Sequence, residues 1–192
     1  MSDIRSLSDE ELMIKIGKGS EPAFDELYNR YSRKALAFFY RMYNNDEEKA
    51  QDALQDIFMK IAEKPGLFDT GKKFSPWFFS IAYNMCKNEY KRSTIKRTAH
   101  AEIKHTGSAH DESLFKNISG RMDAKLFRNS LHERLSELSD DKRAAFLLKY
   151  QDNKSIKEIA EIQECSEGTV KSRLFYTIKY LAAELAAFDP KN

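Results

Sequence analysis

The chain predicts an all-α fold, two small helical domains joined by a flexible linker, and three features carry that expectation. Apolar side chains recur at spacings of three and four on both sides of a polar, aperiodic tract. Glycine (7) and proline (4) are scarce among 192 residues, too few for the tight turns of an all-β protein. Near the C-terminus, two short capped segments with a brief turn between them make the second domain a helix-turn-helix domain. The expected division is residues 6–98, a linker over 99–121, and residues 122–187.

In the first domain, Ser8 with Glu11 forms a capping box for a short helix through Ile16, stopped by Gly17 and Gly19. Ser20 and Pro22 open a long amphipathic helix carrying Phe24, Leu27, Tyr28, Tyr31, Leu36, Phe39 and Tyr43, and Asn44-Asn45-Asp46 breaks it. A third helix over 47–63 has Ala50, Leu54, Ile57, Phe58 and Ile61 as its core stripe and ends at Lys64-Pro65-Gly66. After a loop, Ser75-Pro76 reads as the start of a fourth helix, a capping side chain with proline at the first helical position. That helix runs to about Lys96, although periodicity already fails from Ser93.

The tract that follows is polar and aperiodic, with Thr98, His100, His105, Thr106, Gly107, Ser108 and His110. Its three histidines, five residues apart, do not share a helix face, so a solvated linker outweighs a metal site. The second domain opens near Met122 with a helix carrying Leu126, Leu131 and Leu135, and Ser139 caps the next. Ser155 with Glu158 makes another capping box, and Ser166 caps the last helix, with Glu167 suited to its dipole. The expected buried stripe of that helix is Val170, Leu174, Ile178, Leu181 and Leu185.

Composition excludes several classes. With 41% hydrophobic and 32% charged residues the chain suits a helix-rich globular protein. Its longest apolar runs are too short to span a bilayer, and the N-terminus lacks the basic-then-apolar pattern of a signal peptide, so no membrane insertion and a cytoplasmic location are expected. Cys86 and Cys165 are too few for a disulfide framework and lack zinc spacing. No nucleophile–base pair, phosphate loop or metal set is present, so neither an enzyme nor a cofactor is expected. The net charge of +2 is uneven: residues 65–105 carry 8 basic and 3 acidic side chains, whereas 1–64 carry 10 and 13. One basic block on a near-neutral chain points to a local polyanion contact.

Four surfaces carry chemistry. Gln51, Asp52, Gln55, Asp56 and Met59 lie opposite the apolar stripe of the third helix, where acids and amides suit a basic helical partner or simply water. The loop Phe68 to Phe74 sets Lys72 and Lys73 beside aromatics, which single-stranded nucleic acid favours; Phe74 suits a core equally. The fourth helix sets Trp77 with Asn84, Lys87, Asn88, Lys91 and Arg92, followed by Lys96 and Arg97, a track for a DNA backbone or cations suited to a helix C-terminus. In the last helix, Thr169, Lys171, Ser172, Arg173, Phe175 and Tyr176 follow the turn, where a helix-turn-helix enters the major groove. Two adjacent aromatics on a polar face need a cover, either DNA or a protein surface.

With these residues in place, the chain resembles the bacterial RNA polymerase sigma-70 family, in its extracytoplasmic-function group. Ala23-Phe24-Asp25-Glu26-Leu27-Tyr28, Ala53-Leu54-Gln55-Asp56-Ile57-Phe58 and Trp77-Phe78-Phe79-Ser80-Ile81-Ala82-Tyr83-Asn84 look like its core-binding and promoter-melting helices. Gly168-Thr169-Val170-Lys171-Ser172-Arg173-Leu174 looks like its minus-35 recognition tract. Three departures stand out: Ser139 for a usual proline, Asn153 for a turn glycine, and Tyr176 and Ile178 for usual arginines.

The resemblance implies a transcription initiation factor. Asp52, Gln55, Asp56 and Met59 would bind core RNA polymerase. Phe68, Lys72, Lys73, Trp77, Asn84, Lys87, Asn88, Lys91 and Arg92 would bind minus-10 DNA. Thr169, Lys171, Ser172, Arg173, Phe175 and Tyr176 would bind minus-35 DNA, and an anti-sigma factor joins polymerase and promoter DNA among the expected partners. A dimeric helix-turn-helix regulator and a polymerase- or anti-sigma-binding adaptor are the alternatives.

Overall fold

The computed structural model describes residues 3–99 and 121–188, with side chains described from 3–92 and 125–188. Among the described residues there are eight α-helices and no strand: α1 (Asp9–Ile16), α2 (Glu21–Met42), α3 (Glu47–Glu63), α4 (Phe74–Ala99), α5 (Arg121–Ser136), α6 (Asp140–Tyr150), α7 (Ile156–Ile162) and α8 (Glu167–Glu184). The expected linker at 99–121 and its histidines lie almost wholly outside the described residues; of it only residues 99 and 121 are described, and both are helical.

Local chemistry sets most helix ends. Ser8 Oγ accepts from the Glu11 amide (3.2 Å) while Ser8 donates its amide to the Glu11 carboxylate (2.7 Å), closing the capping box of α1. α2 stops where Asn44 and Asn45 take φ of 55° and 66°, a left-handed conformation that asparagine tolerates better than most residues. Asp46 then caps α3 by accepting from the Lys49 amide at 3.1 Å. Ser20 and Ser139 stand at N-cap positions without a side-chain capping bond. α4 departs from expectation: it begins at Phe74, and Ser75 lies inside its first turn. Its cap comes from another helix, because Glu10 accepts the Phe74 amide at 2.8 Å. At its other end α4 continues to Ala99, beyond the loss of periodicity at Ser93. An apolar stripe reports packing, whereas backbone hydrogen bonds carry a helix onward without it.

The first four helices enclose an aromatic core. Phe38, Phe39, Phe74, Phe78 and Phe79 are fully buried, and Tyr31 packs edge-on against Phe74 at 5.0 Å between centroids. Such pairs add about 0.5–1.5 kcal/mol each beyond the area they bury. Arg30 fastens the N-terminal segment, donating to Asp9 (2.8 Å), Glu26 (2.7 Å), and the Leu7 and Arg5 carbonyls (2.9 Å each).

In the second domain, the Ser155–Glu158 capping box opens α7, and Ser166 caps α8 by accepting from the Thr169 amide at 3.1 Å. Asn153 sits at φ 52°, as its place at a turn-glycine position predicts. Two core expectations are corrected. The inward stripe of α8 is Val170, Leu174, Thr177 and Leu181; Thr177 is fully buried and Ile178 is 43% exposed. One residue turns a helix by about 100°, and the 4-3-4 spacing through Thr177 tracks the helical period better than one through Ile178. Leu126 is 55% exposed, so α5 contributes Leu135, with Leu131 packed beside it. The two domains meet directly: α4 lies against α7, and α2 against α5 and α6.

Candidate nucleic-acid interface

Asp52, Gln55, Asp56 and Met59 all stand exposed on α3, while Ala50, Ala53, Leu54, Ile57, Phe58 and Ile61 turn inward. Buried and outward positions alternate at helical period, so this acidic face is available without disturbing the core. Met59, at the C-terminal end of this face, is 55% exposed, a flexible apolar contact one turn from Asp56.

The loop before α4 is built differently from its sequence reading. Phe68 is only 5% exposed, its ring 5.0 Å from Trp77 and 5.6 Å from Phe74. Trp77 is half-buried on the outer side of that stack, so Phe68 supports the surface from beneath. Asp69 folds the turn, accepting from the Gly71 amide at 3.0 Å, and Lys72 and Lys73 stand in solvent. Further along α4, Asn84, Lys87, Asn88, Lys91 and Arg92 are all exposed. Asn84, Lys87, Asn88 and Lys91 follow one another at three-, one- and three-residue steps, a single face of paired amides and cations. Lys87 lies 5.8 Å over the Tyr83 ring.

On α8, Thr169, Lys171, Ser172, Phe175 and Tyr176 are exposed, and the two aromatic rings meet edge-on at 5.4 Å. Arg173 is placed otherwise: it is tied to Asp141 of α6, donates to Gln163 Oε1 at 2.8 Å and reaches Cys165 Sγ at 3.4 Å. Its guanidinium braces the turn between α7 and α8. No three His, Cys, Asp or Glu side chains among the described residues form a group that could hold a metal ion. No described helix is long and apolar enough to cross a membrane.

Two family models match the chain in order: Sigma-70 region 2 over residues 27–95 and Sigma-70, region 4 over 128–180. The extracytoplasmic-function sigma factor SigW of Bacillus subtilis is 30% identical over 85% of this chain and 92% of its own length. The chain belongs to the sigma-70 family, in its extracytoplasmic-function group. The sigma-H factor of Pseudomonas aeruginosa is 29% identical, covering 87% of this chain and 88% of its own. The sigma-E factor of Escherichia coli K12 is 29% identical, covering 88% and 90%. Among solved structures, the sigma factor RpoE in complex with the anti-sigma factor NepR, from Bartonella quintana, superposes with a TM-score of 0.72 at 22% identity, covering 85% of this chain and 96% of its own. CnrH in complex with the cytosolic domain of CnrY gives 0.68 at 23%, covering 93% and 97%.

In this sigma-70 chain, region 2 spans α2 to α4 and so holds the α3 and α4 faces, and region 4 holds the helix-turn-helix. Sequence reasoning missed the residues joining the two regions. Tyr83 donates to Asp141 at 2.5 Å, and Lys154 reaches Ser75 and lies 5.0 Å over the Phe79 ring. Burial, then the hydrogen bond to Asp141, raises the Tyr83 hydroxyl pKa, so it stays a donor at neutral pH. Nothing in a single sequence marks such contacts, because each joins residues more than fifty positions apart in the chain.

Proposed function

We propose that this chain directs bacterial RNA polymerase to promoters as an extracytoplasmic-function sigma factor, reading minus-10 and minus-35 elements. The observation that carries this reading is the order of the two matched sigma-70 regions on one fold with its polar faces exposed. The division at residues 6–98, 99–121 and 122–187 holds one matched region in each outer segment.

Asp52, Gln55, Asp56 and Met59 would dock on basic helices of the core enzyme. Lys72, Lys73, Trp77, Asn84, Lys87, Asn88, Lys91 and Arg92 would hold the melted minus-10 strand, cations on phosphates and Trp77 against a flipped base. Phe68 would act by supporting Trp77. Thr169, Lys171, Ser172, Phe175 and Tyr176 would meet the minus-35 major groove, with Arg173 holding the motif in shape. An anti-sigma factor is the further expected partner, since the sigma factor RpoE of this fold is solved with one. The work is recruitment in the cytoplasm, with no bond made by the chain itself.

A run-off transcription assay with core polymerase and a genomic promoter library tests the reading. Discrete transcripts that require the chain are expected. Nanomolar, sequence-specific binding to DNA by the isolated chain, with no transcription on adding core, would instead identify a free-standing regulator.

A further inference from the structure

The cations of α8 are Lys171, Arg173 and Lys179, and Arg173 is its one arginine. That guanidinium is engaged inside the domain, on Asp141, Gln163 and Cys165. Swinging it out to DNA would strand the Asp141 carboxylate and the buried Gln163 amide oxygen. The planar fork that most often reads guanine in a major groove is therefore not on offer from this helix. Thr169 is committed as well: its Oγ1 shares a hydrogen bond with Ser166 Oγ at 2.9 Å, beside the cap of α8. Its methyl remains for an outside contact.

What the outer face of α8 does present is largely apolar. Phe175 and Tyr176 are 62% and 57% exposed, their rings edge-on at 5.4 Å. Lys171 and Lys179, both exposed, stand one turn before and one turn after Phe175 on the same side, about 12 Å apart along the axis. Apolar rings bracketed by cations suit a polyanion that also shows apolar groups. On the major-groove edge of a duplex the apolar group is the C5-methyl of thymine. The other edge atoms are donors and acceptors, and a ring laid over them would leave them unpaired.

We infer that this chain selects its minus-35 element through thymine methyl groups packed on Phe175 and Tyr176, with Lys171 and Lys179 on flanking phosphates and no arginine–guanine pair. This inference rests on the sigma-factor reading above and names the bases that the same helix prefers. Shape and specificity are divided between neighbours. Arg173 braces the turn that aims α8, the two lysines hold the backbone without regard to sequence, and the rings do the reading.

The test uses the full chain with core polymerase and a promoter library randomised across the minus-35 region. Thymines should be enriched there. Replacing a selected thymine by deoxyuridine deletes the methyl and keeps the hydrogen-bonding edge, and should weaken promoter binding about fourfold for each methyl in contact. Phe175→Ala and Tyr176→Ala should each make binding indifferent to that replacement at one position, whereas Tyr176→Phe should keep the response. Tyr176→Arg should move the enriched base toward guanine. Lys171→Ala should weaken binding to thymine and deoxyuridine promoters alike, as loss of a phosphate contact does. Equal affinity of the wild-type holoenzyme for thymine and deoxyuridine promoters overturns the inference and leaves the sigma reading standing, with the rings then on sugar or on a protein surface. A guanine-centred selection overturns it in the same way. Absence of any core-dependent transcript brings down the sigma reading, and this inference with it.

Discussion

Arg173 and Asp141 form an ion pair inside the second domain, joining the stretch of α8 after the turn to the start of α6. The same carboxylate accepts from Tyr83 of the first domain at 2.5 Å, so Asp141 serves both the motif's internal geometry and the contact between domains. Among the basic residues after the turn, position in the motif does not assign the role.

Arg173→Ala should therefore cost stability, about 1–3 kcal/mol, by leaving Asp141 and Gln163 without their half-buried partner. Lys171→Ala, on the exposed face, should leave the melting temperature within a degree or two and reduce initiation at promoters that depend on a minus-35 element. Thermal melts beside run-off transcription separate the two. Equal melting temperatures for both variants would contradict the assignment.

Charge reversal at both Asp52 and Asp56 should weaken core polymerase binding at least about tenfold while helicity by circular dichroism stays unchanged. Both side chains are exposed, and the buried stripe of α3 does not include them. Wild-type affinity in the double variant would remove α3 from the docking surface.

Glu164 occupies the turn before α8 at φ 50°, where a side chain is strained. Glu164→Gly should raise unfolding stability by about 1 kcal/mol, the relief of a left-handed non-glycine residue less the added freedom of the unfolded chain. Urea denaturation reads this directly, and a loss of stability would show that Glu164 does unseen work in the turn.

Two groups give opposing pH dependences. Burial, then Arg41 and Arg128, push the His132 imidazole down to about 4 from 6.5. Below pH 6.5 the unfolded chain takes up a proton that the folded chain refuses until about 4, so stability is lost as pH falls through that window. Desolvation raises the Asp152 carboxyl to about 7 from 3.8, against the pull of Lys154 and Lys34. Its contribution is present at pH 3.8 and is lost as pH rises through 7. Asp152→Asn should thus stabilise the chain at pH 8, on the order of 1 kcal/mol, and change little at pH 4. His132→Gln should flatten the acid limb. Denaturation midpoints at several pH values check both signs.

Much of the fold was legible because its signals are local. The capping boxes at Ser8 and Ser155, the Asn44-Asn45 break and the left-handed Asn153 each depend on a few neighbouring residues. What sequence missed is tertiary. Ser75-Pro76 mimics a helix start, but the amide of Phe74 finds its acceptor on α1. Phe68 has the composition of a base-stacking residue and the position of a core residue, which only packing distinguishes. Arg143 reads as one more surface cation until carbonyls from two helix ends are seen to converge on it.

The bond from Glu10 to the Phe74 amide also changes where the region 2 unit begins as a folded piece. The Sigma-70 region 2 match starts at residue 27, yet the first turn of α4 is completed by a carboxylate seventeen positions upstream of that point. A truncation designed on the matched boundary would leave the amide end of α4 without its acceptor, beside the loop that presents Lys72 and Lys73. The short leading helix is thus an external clasp for the start of α4, and a minimal fragment of this factor has to retain it.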